Sequence, residues 1–450
     1  MRALAELLLD AHWTLTGTDL LPANASIQKL IQRHLVFHQG HHETHVPSSV
    51  DRLVYSPAIP ASNPERIEAT RRGIPQFSYG QMVGLLMEQS TGVCLAGTHG
   101  KSTTTAMTAR ILQAAGRLSA VVLGAELCET GRSGWDGSGD LFVAESCEFQ
   151  QSFFDFKPRY AAILGIEPDH FDCYPNLESL VAAFRHFAGQ TRDDGVLLVN
   201  ADCPVSPSVS AQATTKAKRV SFGFGPTADW RVDAWAPTAQ GTQFTLIHQG
   251  KRLGEFELRL HGRHNVLNAV AAAALCHEIG VPIDMIRQSL AAFRGIRRRF
   301  EFVGEWNGIT IVDDYAHHPT AAKITLETLR NLVGTRRIRC IFQPHQVLRT
   351  TMLMDEFAAS FGAADEVWLA PIFAARESVD DRPLMVSQEL ARRLTSHGVA
   401  ARSFSSLDQI VSTLEDASRP GDVIVTMGAG DIDRIHHEFT RRIPTDPSTG

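Results

Sequence analysis

Between Val93 and Gly116 the chain spells out a strand, a glycine turn and a helix in that order, and this constrains what can surround them. Val93-Cys-Leu-Ala96 is a short apolar run suited to a buried strand, and Gly97-Thr-His-Gly-Lys-Ser-Thr103 cannot continue it. Ser102 to Ala115 carries a helical pattern that Gly116 stops. A strand handed to a helix through a tight loop belongs in a parallel sheet with crossover helices. The same alternation of apolar, β-branched runs with helical patterns recurs almost throughout, so the expected class is α/β.

The loop has chemistry of its own. Gly97 and Gly100 let backbone N–H groups approach phosphate oxygens, with Thr98, His99 and Thr103 completing the cradle. Lys101 can reach the terminal phosphates and the Ser102 hydroxyl can ligate Mg²⁺, so ATP and Mg²⁺ are the expected cofactors. Leu95 stands where the general G-x-x-x-x-G-K-[ST] pattern has its first glycine. Two acidic clusters follow strands of the same sheet: Glu145-Ser-Cys-Glu148, and Glu167-Pro-Asp-His170-Phe-Asp172. Ligands gather at the carboxyl ends of strands in open α/β sheets, and carboxylates there suit Mg²⁺.

At 450 residues the chain suggests two to four domains. A first block, residues 1–90, opens with the amphipathic helix Met1 to Asp10. Strands are expected at Trp13 to Leu20 and Arg52 to Ile59, with helices at Ala25 to Leu35, Asn63 to Arg72 and Gln81 to Gln89. A second block, 91–295, continues from the phosphate loop through strands at Asp140 to Glu145, Tyr160 to Ile166 and Val196 to Asn200. It then holds an antiparallel stretch within Arg219 to Leu260 and helices at His264 to Ile279 and Ile283 to Phe293. A third, 296–450, repeats strand and helix from Ile309 to Met427 and ends in a polar tail after Ile443.

Composition narrows the function. A hydrophobic share of 44%, a charged share of 20% and a net charge of −6 leave no polybasic or acidic block, so nucleic acid is not an expected partner. No apolar run approaches the roughly 18 residues a membrane span needs. Seven scattered cysteines without a C-x-x-C pair suggest reduced thiols in a cytoplasm.

Taken with His264-Asn265-x-x-Asn268, Arg298-Arg299-Phe-Glu301, Asp313-Asp314-Tyr315-Ala-His317-His-Pro319, Phe342-Gln-Pro-His345 and Gly428-Ala-Gly-Asp-Ile432, the phosphate loop and the acidic clusters resemble the Mur ligases over the whole chain. The resemblance implies three domains: an N-terminal one for a UDP-sugar, a central ATPase and a C-terminal one that brings the amino acid. It implies UDP-N-acetylmuramate and L-alanine as substrates, joined through an acyl phosphate in peptidoglycan precursor synthesis, and a monomer or weak homodimer. Carried over by position, Ser102 and Glu148 would hold one Mg²⁺, and Glu148 and His170 a second. His264, Asn265 and Asn268 would lie on the adenine side, Arg299 on the ATP phosphates and Asp313 or Asp314 on the ribose. Tyr315, His317, His345 and Arg349 would line the side where alanine meets the acyl phosphate. The family pattern usually places arginine where this chain has Gln346.

A Rossmann-like domain opens on a strand and a glycine turn, and this sequence opens inside the helix that follows them, so the expectation is a natural start upstream of Met1. His41-His-Glu-Thr-His45 lacks the H-E-x-x-H spacing and is read as a loop, and Gly428-Ala-Gly430 lacks the third glycine of a dinucleotide fingerprint. Two rivals share most of the ATP residues: a ligase that attaches a whole tripeptide to the same nucleotide, and a nucleotide-binding relative without ligase activity.

Overall fold

The structure, a computed structural model, describes residues 1–375, 377 and 382–442. The polar tail lies outside them. The chain divides into two compact units. The first comprises residues 1–168, 173–259 and 263–296, and the second 169–172, 260–262 and 297 onward.

The first unit opens with α1 (Arg2–Asp10), β1 (Thr16–Asp19), α2 (Ala25–Ile31) and β2 (Val36–Gln39). After these come β3 (Leu53–Tyr55), α3 (Pro64–Arg71), β4 (Gln76–Ser78) and α4 (Tyr79–Met87). The strand expected to reach Ile59 stops at Tyr55, ahead of Pro57, which has no N–H for a ladder. In place of one Rossmann-like sheet there are two parallel pairs, β1 with β2 and β3 with β4. Helices α1 and α4 are buried elsewhere: Leu4, Leu7 and Leu8 of α1 and Met82, Val83 and Met87 of α4 belong to the core of the large sheet.

That sheet has ten strands. They are β5 (Thr91–Ala96), β6 (Leu118–Val122), β7 (Gly134–Asp136), β8 (Leu141–Ser146), β9 (Tyr160–Ile163), β10 (Val196–Asn200) and β11 (Lys218–Gly223), then β12 (Trp230–Thr238), β13 (Gly241–His248) and β14 (Lys251–Leu258). Their order is β14-β13-β12-β11-β10-β9-β5-β8-β6-β7. The expected antiparallel stretch is present as β12–β14. It continues the parallel sheet instead of standing apart, because Phe222 and Gly223 of β11 pair with Trp230 and Arg231 of β12. Helix α5 (Lys101–Ala114) follows β5, while α6 (Leu177–Gly189) and α7 (Ser206–Gln212) flank β10 in sequence. Helices α8 (Arg263–Glu278) and α9 (Ile283–Ala292) close the unit against α5. The Ala-rich stretch Ala269–Ala274 of α8 is fully buried, which lets helix backbones approach closely.

The second unit holds β15 (Glu301–Trp306), β16 (Ile309–Asp314), α10 (Pro319–Val333), β17 (Ile338–Phe342), α11 (Val347–Met352) and α12 (Met354–Ala358). It ends with β18 (Glu366–Leu369), α13 (Arg382–Ser396), β19 (Ala400–Ser403), α14 (Leu407–Ala417), β20 (Val423–Met427) and α15 (Arg434–Arg442). The strand order is β15-β16-β20-β17-β18-β19, parallel except for the edge strand β15. Separate apolar cores cover its two faces, one under α10, α12 and α13 and the other under α14 and α15. The α/β class read from the sequence holds in both units.

Candidate active site

The phosphate loop leaves β5 where the strand order divides: β5 runs parallel to β9 on one side and to β8 on the other. Ligands bind at such switch points because the loops on either side turn apart and leave a crevice. Gly97 has φ 144° and Gly100 φ 80°, conformations that a side chain resists. Gly100 has a second reason to be glycine, since a Cβ there would collide with Asn268 Oδ1. The loop is pinned on its β9 side, where the Thr98 N–H donates to the Gly165 carbonyl at 2.8 Å and the Glu167 N–H donates to Thr98 Oγ1 at 3.0 Å. His99 Nε2 lies 3.5 Å from Glu167.

Lys101 opens α5 with its ammonium turned inward. It donates to both carboxylate oxygens of Glu148 at 2.9 and 3.0 Å and to the Gly97 carbonyl at 2.5 Å. Burial opposes its charge, but Glu148 outweighs burial and holds the lysine above its ordinary range. Ser102 is buried and donates to Glu145 Oε1 at 2.9 Å, while the Gly124 N–H donates to Glu145 Oε2 at 2.5 Å. Register explains this neighbour: Leu95 pairs with Glu145 and Ala96 with Ser146, so Glu145 reaches the loop from the end of β8.

The sequence reading placed Ser102 with Glu148, and the structure rearranges that pair. Glu145 stands beside Ser102, and Glu148 is engaged by Lys101. A hydroxyl that donates to a carboxylate keeps its lone pairs for a cation, and hydroxyl plus carboxylate oxygens match the few hard donors from which Mg²⁺ is held alongside phosphates. The donor set of Ser102 and Glu145 therefore fits that ion. Gln150 and Gln151, both with positive φ, turn the chain just after Glu148.

At the start of α8, Asn265 and Asn268 are buried, with Asn268 Nδ2 donating to Asn265 Oδ1 at 3.2 Å. The i, i+3 spacing puts both on one helix face, and Asn268 lies beside Gly100. His264 occupies the same first turn.

In the second unit, β16, β20 and β17 end level, with Asp314 and Phe342 both in register with Met427. Asp313 accepts from Arg298 Nε at 3.1 Å and from Thr426 Oγ1 at 2.8 Å; burial nevertheless raises it to about 6. Asp314 accepts the N–H groups of Phe300 and Ala316 at 2.8 and 2.7 Å. Arg298, to which the sequence reading gave no role of its own, donates to the carbonyls of Gly430 and Gly428 at 3.0 and 2.8 Å and so ties the Arg-Arg-Phe segment to the end of β20. Arg299 makes no ion pair among the described residues and lies over the Tyr315 ring at 4.7 Å.

Further round this edge, His317 packs edge-on against Tyr315 and His345. Its Nδ1 lies 2.9 Å from the Tyr315 carbonyl, and burial, aided by Arg349, keeps the ring neutral. Arg349 of α11 meets His345 Nδ1 at 2.8 Å and Asp169 at 2.7 Å. Asp169 and His170 belong to the short 169–172 segment of this unit. Gln346 is buried with φ 70°, its carbonyl accepting from Thr350, and Glu377 caps the N–H groups of Val347 and Leu348. The roles of Asp169, Arg298 and Glu377 had no signal in one sequence, since each depends on a partner at least 15 residues away.

Comparison with known proteins identifies the family. Profiles for the catalytic domain of the Mur ligase family, the Mur ligase middle domain and the Mur ligase glutamate ligase domain match residues 1–91, 95–276 and 298–430. The chain belongs to the Mur ligase family. Among its relatives, a UDP-N-acetylmuramate--L-alanine ligase of Desulfitobacterium hafniense is 40% identical over 86% of this chain and 85% of its own length. One of Salinibacter ruber is 35% identical over 100% of this chain and 94% of its own. The solved UDP-N-acetylmuramate-alanine ligase of Thermotoga maritima superposes with a TM-score of 0.79 at 25% identity, covering 95% of this chain and 92% of that one. A murein peptide ligase of Psychrobacter arcticus, at 24% identity and a TM-score of 0.73, shares the fold.

Proposed function

We propose that this chain joins L-alanine to UDP-N-acetylmuramate, cleaving ATP to ADP and phosphate. The observation that carries the reading is the Lys101, Ser102 and Glu145 arrangement at the end of β5, in a chain whose relatives bear that activity in their names. The blocks 1–90, 91–295 and 296–450 are proposed to serve the UDP-sugar, ATP and the amino acid.

In the proposed reaction a muramoyl carboxylate oxygen attacks the γ-phosphorus, and the bond to the ADP oxygen breaks. The uncharged amine of L-alanine then attacks the acyl carbon. A C–N bond forms, the C–O bond to phosphate breaks and inorganic phosphate leaves. Both steps gather negative charge, which fixed cations offset most strongly where water is excluded. Lys101 is the cation at the loop, and binding a nucleotide would exchange its contacts with Glu148 for phosphate oxygens. Ser102 and Glu145 would hold Mg²⁺, which supplies further charge neutralisation at the phosphates. His317, neutral and with Nδ1 directed at a carbonyl, keeps Nε2 for the proton that the amine gives up. Asn265 and Asn268 are proposed to face the base, Arg299 the phosphates, and Tyr315, His345 and Arg349 the amino acid.

The test is phosphate release from ATP and UDP-N-acetylmuramate, with and without L-alanine. Release that depends on L-alanine is the expected result. Release that needs the tripeptide instead, or none with either, would replace this reading by one of the rivals.

A further inference from the structure

Arg349 is 3% exposed, and most of its guanidinium is already committed. Nε donates to Asp169 Oδ1 at 2.7 Å, and Nη1 meets His345 Nδ1 at 2.8 Å and the His345 carbonyl at 3.2 Å. Nη2 makes no hydrogen bond among the described residues. The guanidinium is planar and its donors form a rigid fork, so tying two of its nitrogens fixes where the third points. A buried arginine also requires a counter-charge. A carboxylate that gripped Nη1 and Nη2 together would close the fork, whereas Asp169 takes Nε and leaves Nη2 open.

Asp169 is itself held in place. It is 5% exposed, and its Oδ1 also accepts the His170 N–H at 2.7 Å, a closure made as His170 adopts φ 53°. For a non-glycine residue that backbone conformation is uncommon, and it persists where surrounding structure enforces it. The Tyr315, His317 and His345 rings line the same edge of the unit.

Resting on the function proposed above, we propose that Asp169 is a positioning residue for the amino-acid substrate, orienting Arg349 so that Nη2 receives the carboxylate of L-alanine. Asp169 does not touch the substrate. It acts through Arg349, and its effect is confined to substrates that bring a carboxylate.

The experiment compares L-alanine with L-alaninamide, which has the same amine and no carboxylate, in wild type, Asp169→Asn and Asp169→Glu. Expected for Asp169→Asn is a KM for L-alanine raised at least about tenfold, the scale of one charge-assisted hydrogen bond. The KM for ATP should move less than about twofold and kcat/KM for L-alaninamide less than about threefold, these bounds being well below one such bond. Asp169→Glu keeps the charge on a longer arm and should fall between, and it is the variant to read should Asp169→Asn not fold. Equal losses with both amines would overturn the proposal and leave the ligase reading standing. Absence of L-alanine-dependent turnover in wild type would remove both.

Discussion

Lys101 and Ser102 are adjacent in the chain yet face different carboxylates, Glu148 and Glu145. That separation gives two expectations. Lys101→Ala removes the fixed cation of the loop and should cost at least about 3 kcal/mol in kcat/KM, read by L-alanine-dependent phosphate release; a loss within tenfold would count against the assignment. Glu145→Gln should raise the Mg²⁺ concentration for half-maximal activity at least about tenfold, the scale of one lost charge-assisted contact, and Glu148→Gln should raise it much less. A Mg²⁺ titration that ranks the two variants the other way would return the metal to Glu148. The lysine and serine were legible in the sequence, because a strand, a glycine loop and a helix place them by local rules. The choice between two glutamates three residues apart was not, since it depends on how β5 and β8 are registered. The same limit applied to the arginine pair. Arg298 is bound by carbonyls 130 and 132 residues away, and both arginines lie over the Tyr315 ring, Arg299 at 4.7 Å and Arg298 at 5.5 Å.

At the scale of elements, α1 shows how a helix is fixed by what it buries. Its leucines join the core of the large sheet, but its position is set by Glu6, which is 4% exposed. Glu6 Oε2 accepts the N–H groups of Ser133 and Gly134 at 2.7 and 2.8 Å and the Ser133 hydroxyl at 3.2 Å. Asp10 on the same helix is engaged by Arg33 and Arg132. Glu6→Ala would leave those donors buried and unpaired, and a loss of about 3 kcal/mol is expected in denaturant unfolding. Gly134→Ala should be at least as damaging, because its Cβ would overlap the Ala3 carbonyl. Either variant unfolding like the wild type would mean that α1 is not anchored there. The amphipathic pattern of α1 was readable in the sequence, but nothing there gave Glu6 a role. Only the partner strand β7, three residues long and unrecognised in the sequence, turns it into an anchor. Short edge strands such as β7 and β19 escape a pattern search for that reason: three or four residues carry too little periodicity to register.

For the whole molecule, stability against pH adds up groups that only folding brings together. Asp313 has an ordinary value of 3.8 and is pushed up to about 6 by burial. Between those values the folded chain keeps a proton that the unfolded chain has released, so the contribution of Asp313 to stability falls as pH rises through the window and is fully lost above it. Asp313→Asn should flatten that fall, measured as the difference between variant and wild-type unfolding free energies from pH 4 to pH 7. A constant difference across the range would show that Asp313 does not titrate there. Asp169 works in the opposite sense: although burial opposes its charge, Arg349 and the neighbouring imidazoles hold it well below the usual carboxylate range, so its support is present above its ordinary value of 3.8 and is lost progressively as pH falls below it. Neither aspartate could be ranked from the sequence, where both sit in short acidic motifs. By itself the sequence determined the α/β class, the phosphate loop and the order of the blocks, because strand and helix periods and glycine turns are local. The tertiary structure decided that β12–β14 extend one sheet, that α1 belongs to the core of that sheet, and which carboxylate faces Ser102, Lys101 and Arg349. Those outcomes depend on strand register and burial, which join residues far apart in the chain.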